Sequence, residues 1–440
     1  MRDATPNLYL PPVPRSLHER FPSPPWRQSQ FPLENMMRSV IRNSGFALLF
    51  AITLISTGSR AQDKGPIQIA SGVTYEFLDR WDIGRLNQIL QTDTPKFSGI
   101  PVTYTPARNA VRLYRVTYSS VVPERGNKPT VATGLLAVPD TKDTTFPMVS
   151  YQHGTVYGKQ QVPSFAEQSP ETQLMIAQFA GQGYLLIGAD YFGLGLSDEP
   201  EGYMVKASHQ QASYDLLTAS RAVLGHLRLD STKLFLAGWS QGGFVTMAFL
   251  QKLESAGVTV QAAATASAPV DVFVALNGFL NFPRKNDAAW VPTLFILSSF
   301  AFEHYYGVPG LARSLLNDAY YDVSRKAYER QPFEAADVPT DLRKLIRTEY
   351  FDPQFFAASA YGRLVAQTEA YRWLIKSPVR NYYGEADEAI SIGLGQLAMT
   401  YQRAIGNGNP QVEAVSTGET SHRGTFARAV PQWKNWFDAL

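Results

Sequence analysis

A serine between glycines at residues 238–242, Gly-Trp-Ser-Gln-Gly, has the spacing of an enzymatic nucleophile. Residues 233–237 before it form a short apolar run that predicts a buried strand, and residues 243–250 predict a helix packed under a sheet. On a sharp turn from strand to helix, small residues two positions before and after the serine relieve the backbone crowding. The start of the helix also favours negative charge developing near the serine. The pattern therefore predicts Ser240 as a catalytic nucleophile, and a glycine-rich turn is the alternative.

A serine hydroxyl is a weak nucleophile without a base that takes its proton, and the base needs a third group that orients it. The strand–turn–helix context resembles that of the α/β-hydrolases, in which the serine is followed by an acid and then by a histidine. Of the six histidines, only His422 follows a terminal strand and precedes a last helix. His422 is therefore the predicted general base, and a helix-capping or surface histidine is the alternative.

The orienting acid is expected after the penultimate strand, predicted at residues 379–383. Asp387 follows that strand on a tight turn that begins with a glycine, and the turn would lift its carboxylate towards the histidine. Glu385 and Glu388 flank it and are interpreted as solvated loop carboxylates. Asp387 is the predicted acid, and Asp271, shortly after the preceding strand, is the alternative.

The negative oxygen of a tetrahedral intermediate needs N–H donors that are already in place. One predicted donor is the backbone of Gln241, next to the nucleophile. The second is expected from residues 151–155, Tyr-Gln-His-Gly-Thr, which follow a predicted strand. In such His-Gly-x loops the residue after the glycine is the usual donor, so Thr155 is preferred to Gly154. His153 is interpreted as a structural residue that holds the loop, and a second general base is the alternative.

Strands and helices alternate from about residue 70, which predicts a mostly parallel central sheet with helices on both faces. The alternation of residues 110–118 predicts an outer, antiparallel strand paired with residues 131–138. Residues 272–370 interrupt the rhythm and are rich in aromatic residues, so a mainly helical cap inserted in the sheet domain is expected there. Further strands are predicted at residues 146–151, 184–189, 261–267 and 412–416, and helices at residues 171–180 and 210–227.

The N-terminal segment has the parts of an export signal. Residues 1–36 are rich in proline and polar residues and are interpreted as a disordered leader, upstream of a natural start at Met36 or Met37. Residues 37–61 combine basic residues, a short apolar run and a small-x-small site, which predicts a signal peptide. The run is about half as long as a membrane span requires, and an uncleaved anchor is the alternative. A hydrolase domain at residues 62–440 is therefore expected to be secreted or periplasmic.

The composition narrows the classes of function. Forty basic and 38 acidic residues give a formal charge of +2, and the basic residues are scattered, so no nucleic-acid partner is predicted. Without cysteine the chain has no disulfide, no thiolate nucleophile and no cysteine metal site. The sequence has no H-E-x-x-H and no Walker loop, and its glycines at 193–195 are too few for a dinucleotide fingerprint. No metal and no cofactor are therefore predicted.

Four motifs together are similar to those of the secretory lipases of the α/β-hydrolase superfamily, including the lipase A-like members. The motifs are residues 151–155, 188–197, 238–242 and 384–387. The resemblance covers about residue 105 to the C-terminus and is that of a secreted bacterial serine esterase or lipase. It implies that Ser240, Asp387 and His422 form the catalytic triad and that the cap covers an acyl-binding tunnel. The chain differs from the disulfide-bearing fungal members by its lack of cysteine.

The predicted function is a serine carboxylic ester hydrolase that acts through an acyl-enzyme on a hydrophobic small-molecule or lipid ester. The cap aromatics suit such a substrate, although a simple packing role is the alternative. The run at residues 290–302 is interpreted as a buried cap helix. The alternative is a lid that contacts a lipid surface transiently. A serine peptidase and a non-catalytic binding protein on the same fold are the alternative functions. The sequence does not predict the oligomeric state.

Overall fold

The computed structural model describes residues 65–440, so the expected leader and signal peptide lie outside the described residues. Within this range ten strands form one sheet in the order β1-β2-β3-β4-β6-β5-β7-β8-β9-β10. The strands are β1 (Ile67–Ala70), β2 (Val73–Trp81), β3 (Ala110–Val122), β4 (Lys128–Asp140), β5 (Thr145–Gln152), β6 (Leu185–Ala189), β7 (Asp230–Trp239), β8 (Ala262–Ala266), β9 (Val379–Tyr383) and β10 (Val412–Ser416).

The α-helices lie between these strands and after the last of them, and a π-helical stretch (Ile89–Asp93) joins the first two helices. They are α1 (Ile83–Gln88), α2 (Thr94–Ser98), α3 (Pro170–Gln178), α4 (Lys206–His226), α5 (Gln241–Ser255), α6 (Val272–Asn281), α7 (Pro292–Tyr306), α8 (Leu311–Leu315), α9 (Asp318–Tyr328), α10 (Leu342–Leu345), α11 (Pro353–Ala358), α12 (Ala360–Ala366), α13 (Ile392–Gly395), α14 (Leu397–Ala404) and α15 (His422–Asp438). Along residues 65–440, no helix combines the length and the apolar character that crossing a bilayer requires.

The sheet changes from antiparallel to parallel along its width. Strands β1 to β4 form an antiparallel meander, and β4 also pairs antiparallel with β6. From β6 through β5, β7, β8 and β9 to β10, every neighbouring pair is parallel. The mostly parallel sheet of the α/β-hydrolase fold is thus confirmed.

The strand order reverses at β5, because the chain runs from β5 to β6 on one side and then crosses to β7 on the other. In open α/β sheets the carboxyl ends of the strands at such a switch point form the usual ligand crevice. The loop after β5 and the turn after β7 therefore meet at this crevice. They carry the predicted oxyanion loop and the predicted nucleophile.

One prediction about the sheet was wrong. The segment at residues 110–118 was expected to be an outer strand, but β3 pairs on both sides, with β2 and with β4. Two further strands lie beyond it, and their side chains are largely exposed or half-buried. They occupy the hydrogen-bonding edge that β3 would otherwise leave open to another chain.

The sheet is buried on both faces. On one face, Leu234 and Leu236 of β7 belong to a core that includes residues of α4 and α5. On the other face, Phe235 belongs to a second core that includes α3 and α15. A central parallel strand covered by helices on both faces is a continuous apolar run, as residues 234–237 of β7 are.

A long segment between β8 and β9, residues 267–378, is helical; we call it the β8–β9 helical segment. It contains α6 to α12, and its residues Phe295 and Phe302 are fully buried. Two tyrosine hydroxyls attach it to the loop after β6: that of Tyr305 donates to the carbonyl of Pro200 at 2.8 Å, and that of Tyr328 to the carbonyl of Glu201 at 2.7 Å.

Candidate active site

Ser240 lies on the sharp turn between β7 and α5, with φ 57° and ψ −125°. This backbone conformation is unusual for a residue with a side chain, and such strain clusters at functional sites. The turn is tight enough that a Cβ on Gly238 would collide with the carbonyl of Gly242. A Cβ on Gly242 would collide with the carbonyl of Gln152. The two glycines of the motif are therefore required by close backbone approach.

The structure brings Ser240, His422 and Asp387 together. The Nε2 atom of His422 lies 2.9 Å from the Oγ atom of Ser240. Its Nδ1 atom lies 3.0 Å and 3.1 Å from the two carboxylate oxygens of Asp387. His422 is 4% exposed and Asp387 is 1% exposed, so bulk water does not compete for these bonds. The three groups have the connectivity of nucleophile, base and orienting acid.

Asp387 is held by groups besides the histidine. The hydroxyl of Ser267 donates to its Oδ2 atom at 2.6 Å, and the backbone N–H groups of Ala389 and Ile390 donate to its Oδ1 atom at 2.8 Å and 2.9 Å. Burial alone would raise the pKa of Asp387, but the charge of His422 and these hydrogen bonds outweigh it. The pKa therefore lies below its usual 3.8, and the carboxylate is ionised at neutral pH.

His422 is the first residue of α15, and its backbone is fixed at both ends. Its N–H donates to the Oε2 atom of Glu388 at 2.9 Å, and the indole N–H of Trp239 donates to its carbonyl at 3.2 Å. Burial alone would lower the pKa of His422, but the charge and hydrogen bond of Asp387 outweigh it, with a further contribution from Glu388. The pKa lies above its usual 6.5.

One expectation about an acidic residue was wrong, and the alternative acid has other partners. Glu388 was expected to be a solvated loop carboxylate, but it is half-buried and accepts the N–H of His422. Asp271 was the alternative acid, but its carboxylate caps α6 by accepting the N–H of Val274 and also binds the side chain of Arg372. The structure pairs His422 with Asp387 instead.

The two predicted oxyanion donors lie beside the serine. Gln241 is the first residue of α5, where a backbone N–H has no partner within the helix. Thr155 lines the same cavity as Ser240, and no group of residues 65–440 accepts a hydrogen bond from its N–H. Its hydroxyl lies 3.2 Å from that of Tyr203. Both backbone donors are thus available to a bound carbonyl oxygen.

His153 is enclosed within the loop after β5. Its ring nitrogens lie 2.8 Å from the carbonyl of Gly154 and 3.2 Å from that of Asp190, and its own carbonyl accepts the hydroxyl of Tyr191 at 3.1 Å. Burial lowers its pKa to about 4, so the ring is neutral at pH 7. These contacts agree with the expectation that His153 holds the loop after β5.

The sequence predicted no role at the site for three polar residues. Ser267 and Glu388 contact Asp387 and His422 as described, and Glu171 contacts the loop after β5. Burial raises the pKa of Glu171 to about 7, partly offset by hydrogen bonds from Tyr151 and Gly154. An acid in the first turn of a predicted helix is ordinary, so the sequence carries no signal of this contact.

A cavity of about 40 Å³ lies beside Ser240. The β8–β9 helical segment forms most of its wall with one face of α6 and one face of α7. The wall residues are Val272, Ala275, Leu276 and Phe279 from α6, Trp290 from the turn before α7, and Leu294 and Ser298 from α7. The site is therefore largely apolar, with a few polar groups grouped around the serine.

Comparisons with known proteins support the fold. No protein-family model matches the chain, and no curated protein matches it. Among solved structures, a candidate hydrolase from Legionella pneumophila superposes with a TM-score of 0.73 at 19% identity, covering 83% of this chain and 96% of that one. The rice cell wall degrading esterase LipA from Xanthomonas oryzae, in a ligand-bound form, gives 0.69 at 21% identity with the same coverage.

A more distant likeness extends to Candida antarctica lipase A, with a TM-score of 0.53 at 15% identity over 79% of this chain and 77% of that one. At these identities the likeness is one of fold. The resemblance to α/β-hydrolase esterases and lipases, expected from the motifs, is confirmed at that level.

Proposed function

We propose that this protein is a serine carboxylic ester hydrolase that works through an acyl-enzyme. The observation that carries the proposal is the continuous chain of hydrogen bonds from Ser240 through His422 to Asp387. It lies at the carboxyl edge of the sheet, at the switch point where this fold places ligands.

In the first half of the reaction, the Oγ atom of Ser240 attacks the ester carbonyl carbon while the Nε2 atom of His422 takes its proton. Asp387 accepts the Nδ1–H of the ring, which fixes the tautomer and stabilises the imidazolium that forms. The oxygen that becomes negative faces the N–H groups of Gln241 and Thr155. When the carbon–oxygen bond of the ester breaks, His422 gives its proton to the departing alcohol.

In the second half, His422 takes a proton from a water molecule that attacks the acyl-enzyme. The tetrahedral intermediate uses the same two N–H donors, and its collapse returns the proton to Ser240 and releases the acid. Each proton that leaves a nucleophile is thus delivered to a leaving group, and the protein ends in its starting state.

The lining of the cavity supports a hydrophobic ester as the substrate. We propose that the β8–β9 helical segment is the cap, since α6 and α7 present apolar side chains towards Ser240. A wall of this kind removes an acyl chain from water and offers few polar partners, which favours esters with apolar acyl groups over charged ones.

The test compares the unmodified protein with Ser240→Ala on p-nitrophenyl esters of graded acyl length and on peptide anilides. We expect ester turnover by the unmodified protein and a loss of roughly 10³-fold or more in kcat for the variant. Ser255→Ala, which changes an exposed serine at the end of α5, is the matched control and should be fully active. Equal ester turnover by Ser240→Ala would contradict the triad, and cleavage of anilides alone would identify a peptidase.

We also propose that the protein is exported, on the strength of the signal-like segment at residues 37–61. Expression of the full chain in a bacterial host and N-terminal sequencing of the exported form should place the first residue near Gln62. A mature protein that retains residue 40 would contradict cleavage.

A further inference from the structure

Glu171 is a buried acid for which the proposed mechanism has no role. It lies in the first turn of α3, is 5% exposed, and contacts the loop after β5 rather than solvent. Burying a carboxylate is costly unless donors surround it, so a buried acid beside a candidate site needs a physical reason.

The donors that face Glu171 come from β5 and from the loop that follows it. The hydroxyl of Tyr151 donates to its Oε2 atom at 2.6 Å. The backbone N–H of Gly154 donates to both oxygens, at 3.0 Å to Oε2 and 3.2 Å to Oε1. The charges of Arg423 and His422 also favour the ionised form, although burial dominates and raises the pKa of the carboxyl.

Gly154 directly precedes Thr155, the predicted oxyanion donor, so only the two backbone dihedrals of Gly154 separate the two amides. The surroundings of Gly154 are close-packed, since a Cβ there would lie 3.2 Å from the ring of Trp239 and 3.4 Å from the Oε2 atom of Glu171. On the far side, the hydroxyl of Thr155 lies 3.2 Å from that of Tyr203. The peptide that carries the donor is thus held between two anchors.

We propose that Glu171 is a positioning residue: its carboxylate holds the N–H of Gly154 and thereby aims the N–H of Thr155 at the carbonyl oxygen of the substrate. This inference rests on the proposed ester hydrolysis and adds a residue to it. Glu171 touches no reacting atom and acts only through the loop. Its contribution appears in the transition state, when the oxyanion forms, and not in the binding of the ester.

Three variants separate the hydrogen bond from the charge. Glu171→Met removes the acceptor and leaves the Gly154 N–H without its partner. Glu171→Asp keeps the charge but withdraws the oxygens by one methylene. Glu171→Gln keeps a carbonyl oxygen for the Gly154 N–H and removes the charge.

The kinetic readout is kcat and KM per active site, with the sites titrated by the burst of p-nitrophenol. We expect Glu171→Met to lower kcat about 100-fold with KM nearly unchanged, the loss typical of a misaimed catalytic group. Glu171→Asp should lose about tenfold, and Glu171→Gln should stay within about fivefold of the unmodified protein. Binding of a trifluoromethyl ketone, which forms a tetrahedral adduct with the serine, should weaken in proportion to kcat/KM.

The matched control is Gln173→Met, which removes a buried amide of the same helix that donates to the carbonyls of Ala166 and Glu167. It should change stability without changing kcat per active site. A Glu171→Met protein with kcat within threefold of the unmodified protein would overturn the proposal. An equal loss of kcat in Gln173→Met would also overturn it. If Glu171→Met does not fold, full activity of Glu171→Asp would overturn the proposal instead.

Hydrogen exchange of the peptide that contains Gly154 gives a readout independent of ester chemistry. We expect faster exchange of the Gly154 N–H in Glu171→Met and unchanged exchange in Gln173→Met. Unchanged exchange in Glu171→Met would contradict the proposed hold of Glu171 on the Gly154 N–H. If the unmodified protein hydrolyses no ester but the exchange result is as expected, the proposed function is wrong, while the hold of Glu171 on the Gly154 N–H is supported.

Discussion

At the scale of single residues, the acid and the base of the candidate triad are held in place by neighbouring polar groups. Ser267 and two backbone amides hold Asp387, while Glu388 and Trp239 hold the backbone of His422. The holding residues determine whether the reactive groups stay within hydrogen-bonding distance, which matters because misplacement by about 1 Å can cost roughly 100-fold in rate.

The raised pKa of His422 predicts the acid side of the pH profile. The ring must be neutral to accept the proton of Ser240, so kcat/KM should fall as the pH decreases through an apparent pKa above 6.5. Asp387→Asn removes the charge that raises this pKa. We therefore expect the acid limb to move to lower pH and kcat to fall by about 10⁴-fold.

The measurement is the pH dependence of kcat/KM on a soluble p-nitrophenyl ester, for the unmodified protein and for Asp387→Asn. Glu385→Gln changes an exposed acid on the same loop and is the control that should leave the limb in place. An acid limb unchanged by Asp387→Asn would show that another group sets it.

Ser267 makes the shortest hydrogen bond to Asp387, at 2.6 Å. Ser267→Ala should lower kcat about tenfold with KM unchanged, because the carboxylate loses one donor and keeps the amides of Ala389 and Ile390. Steady-state kinetics on a single ester measure the effect. Ser299→Ala is the control, since it removes a fully buried serine that bonds only within α7. Loss of activity in both variants alike would point to stability instead.

At the scale of elements, the sequence predicted the part of the sheet that carries the site. The strands at residues 379–383 and 412–416 have the predicted bounds, since each begins with valine and lies between segments that contain proline or glycine. The poly-alanine strand β8 was recovered from its place in the alternation, against its own helix propensity. Strands β1 and β2 were missed, although residues 73–77 alternate apolar and polar side chains as a strand does.

The residues of the candidate site also fall into those that the sequence predicted and those that it did not. Ser240, Asp387 and His422 follow from motif order and from the ends of successive strands. Glu171, Ser267 and Glu388 do not, since each reaches its partner only through tertiary packing. Sequence separation between Glu171 and the amide it holds is 17 residues, with no motif that spans it.

Helix α6 contributes four residues to the wall of the cavity, and Phe279 is the largest of them. Phe279→Ala should shift the preferred p-nitrophenyl ester to longer acyl chains. Each methylene that enters the new space is worth about 0.8 kcal/mol, or roughly fourfold in kcat/KM. Phe282→Ala, at a position 66% exposed near the end of the same helix, is the matched control. An unchanged chain-length profile in Phe279→Ala would show that this wall does not contact the acyl group.

At the scale of the whole molecule, a buried ion pair joins the β8–β9 helical segment to the sheet domain. Arg330, just after α9, pairs with Glu201 in the loop after β6, and their side chains are 18% and 2% exposed. Burial raises the pKa of Glu201, and the charge of Arg330 partly offsets this. Removal of one partner would leave an uncompensated charge in the interior.

Arg330→Met should therefore lower the free energy of unfolding by about 3 kcal/mol. The double variant Arg330→Met, Glu201→Gln should lose less, because no buried charge remains. Arg313→Met breaks an exposed pair with Asp318 and should cost under about 1 kcal/mol. Chemical denaturation measures all three, and equal losses for Arg330→Met and Arg313→Met would show that the buried pair carries no special weight.

The hydrogen bond between Ser240 and His422 joins residues 182 positions apart in the chain. The closure of such a long loop costs conformational entropy before the contact gives any gain, which slows the folding of the native site. Strands and helices can thus be regained before the serine and its base meet. During refolding, recovery of turnover would mark the last step of the process, later than the recovery of secondary structure.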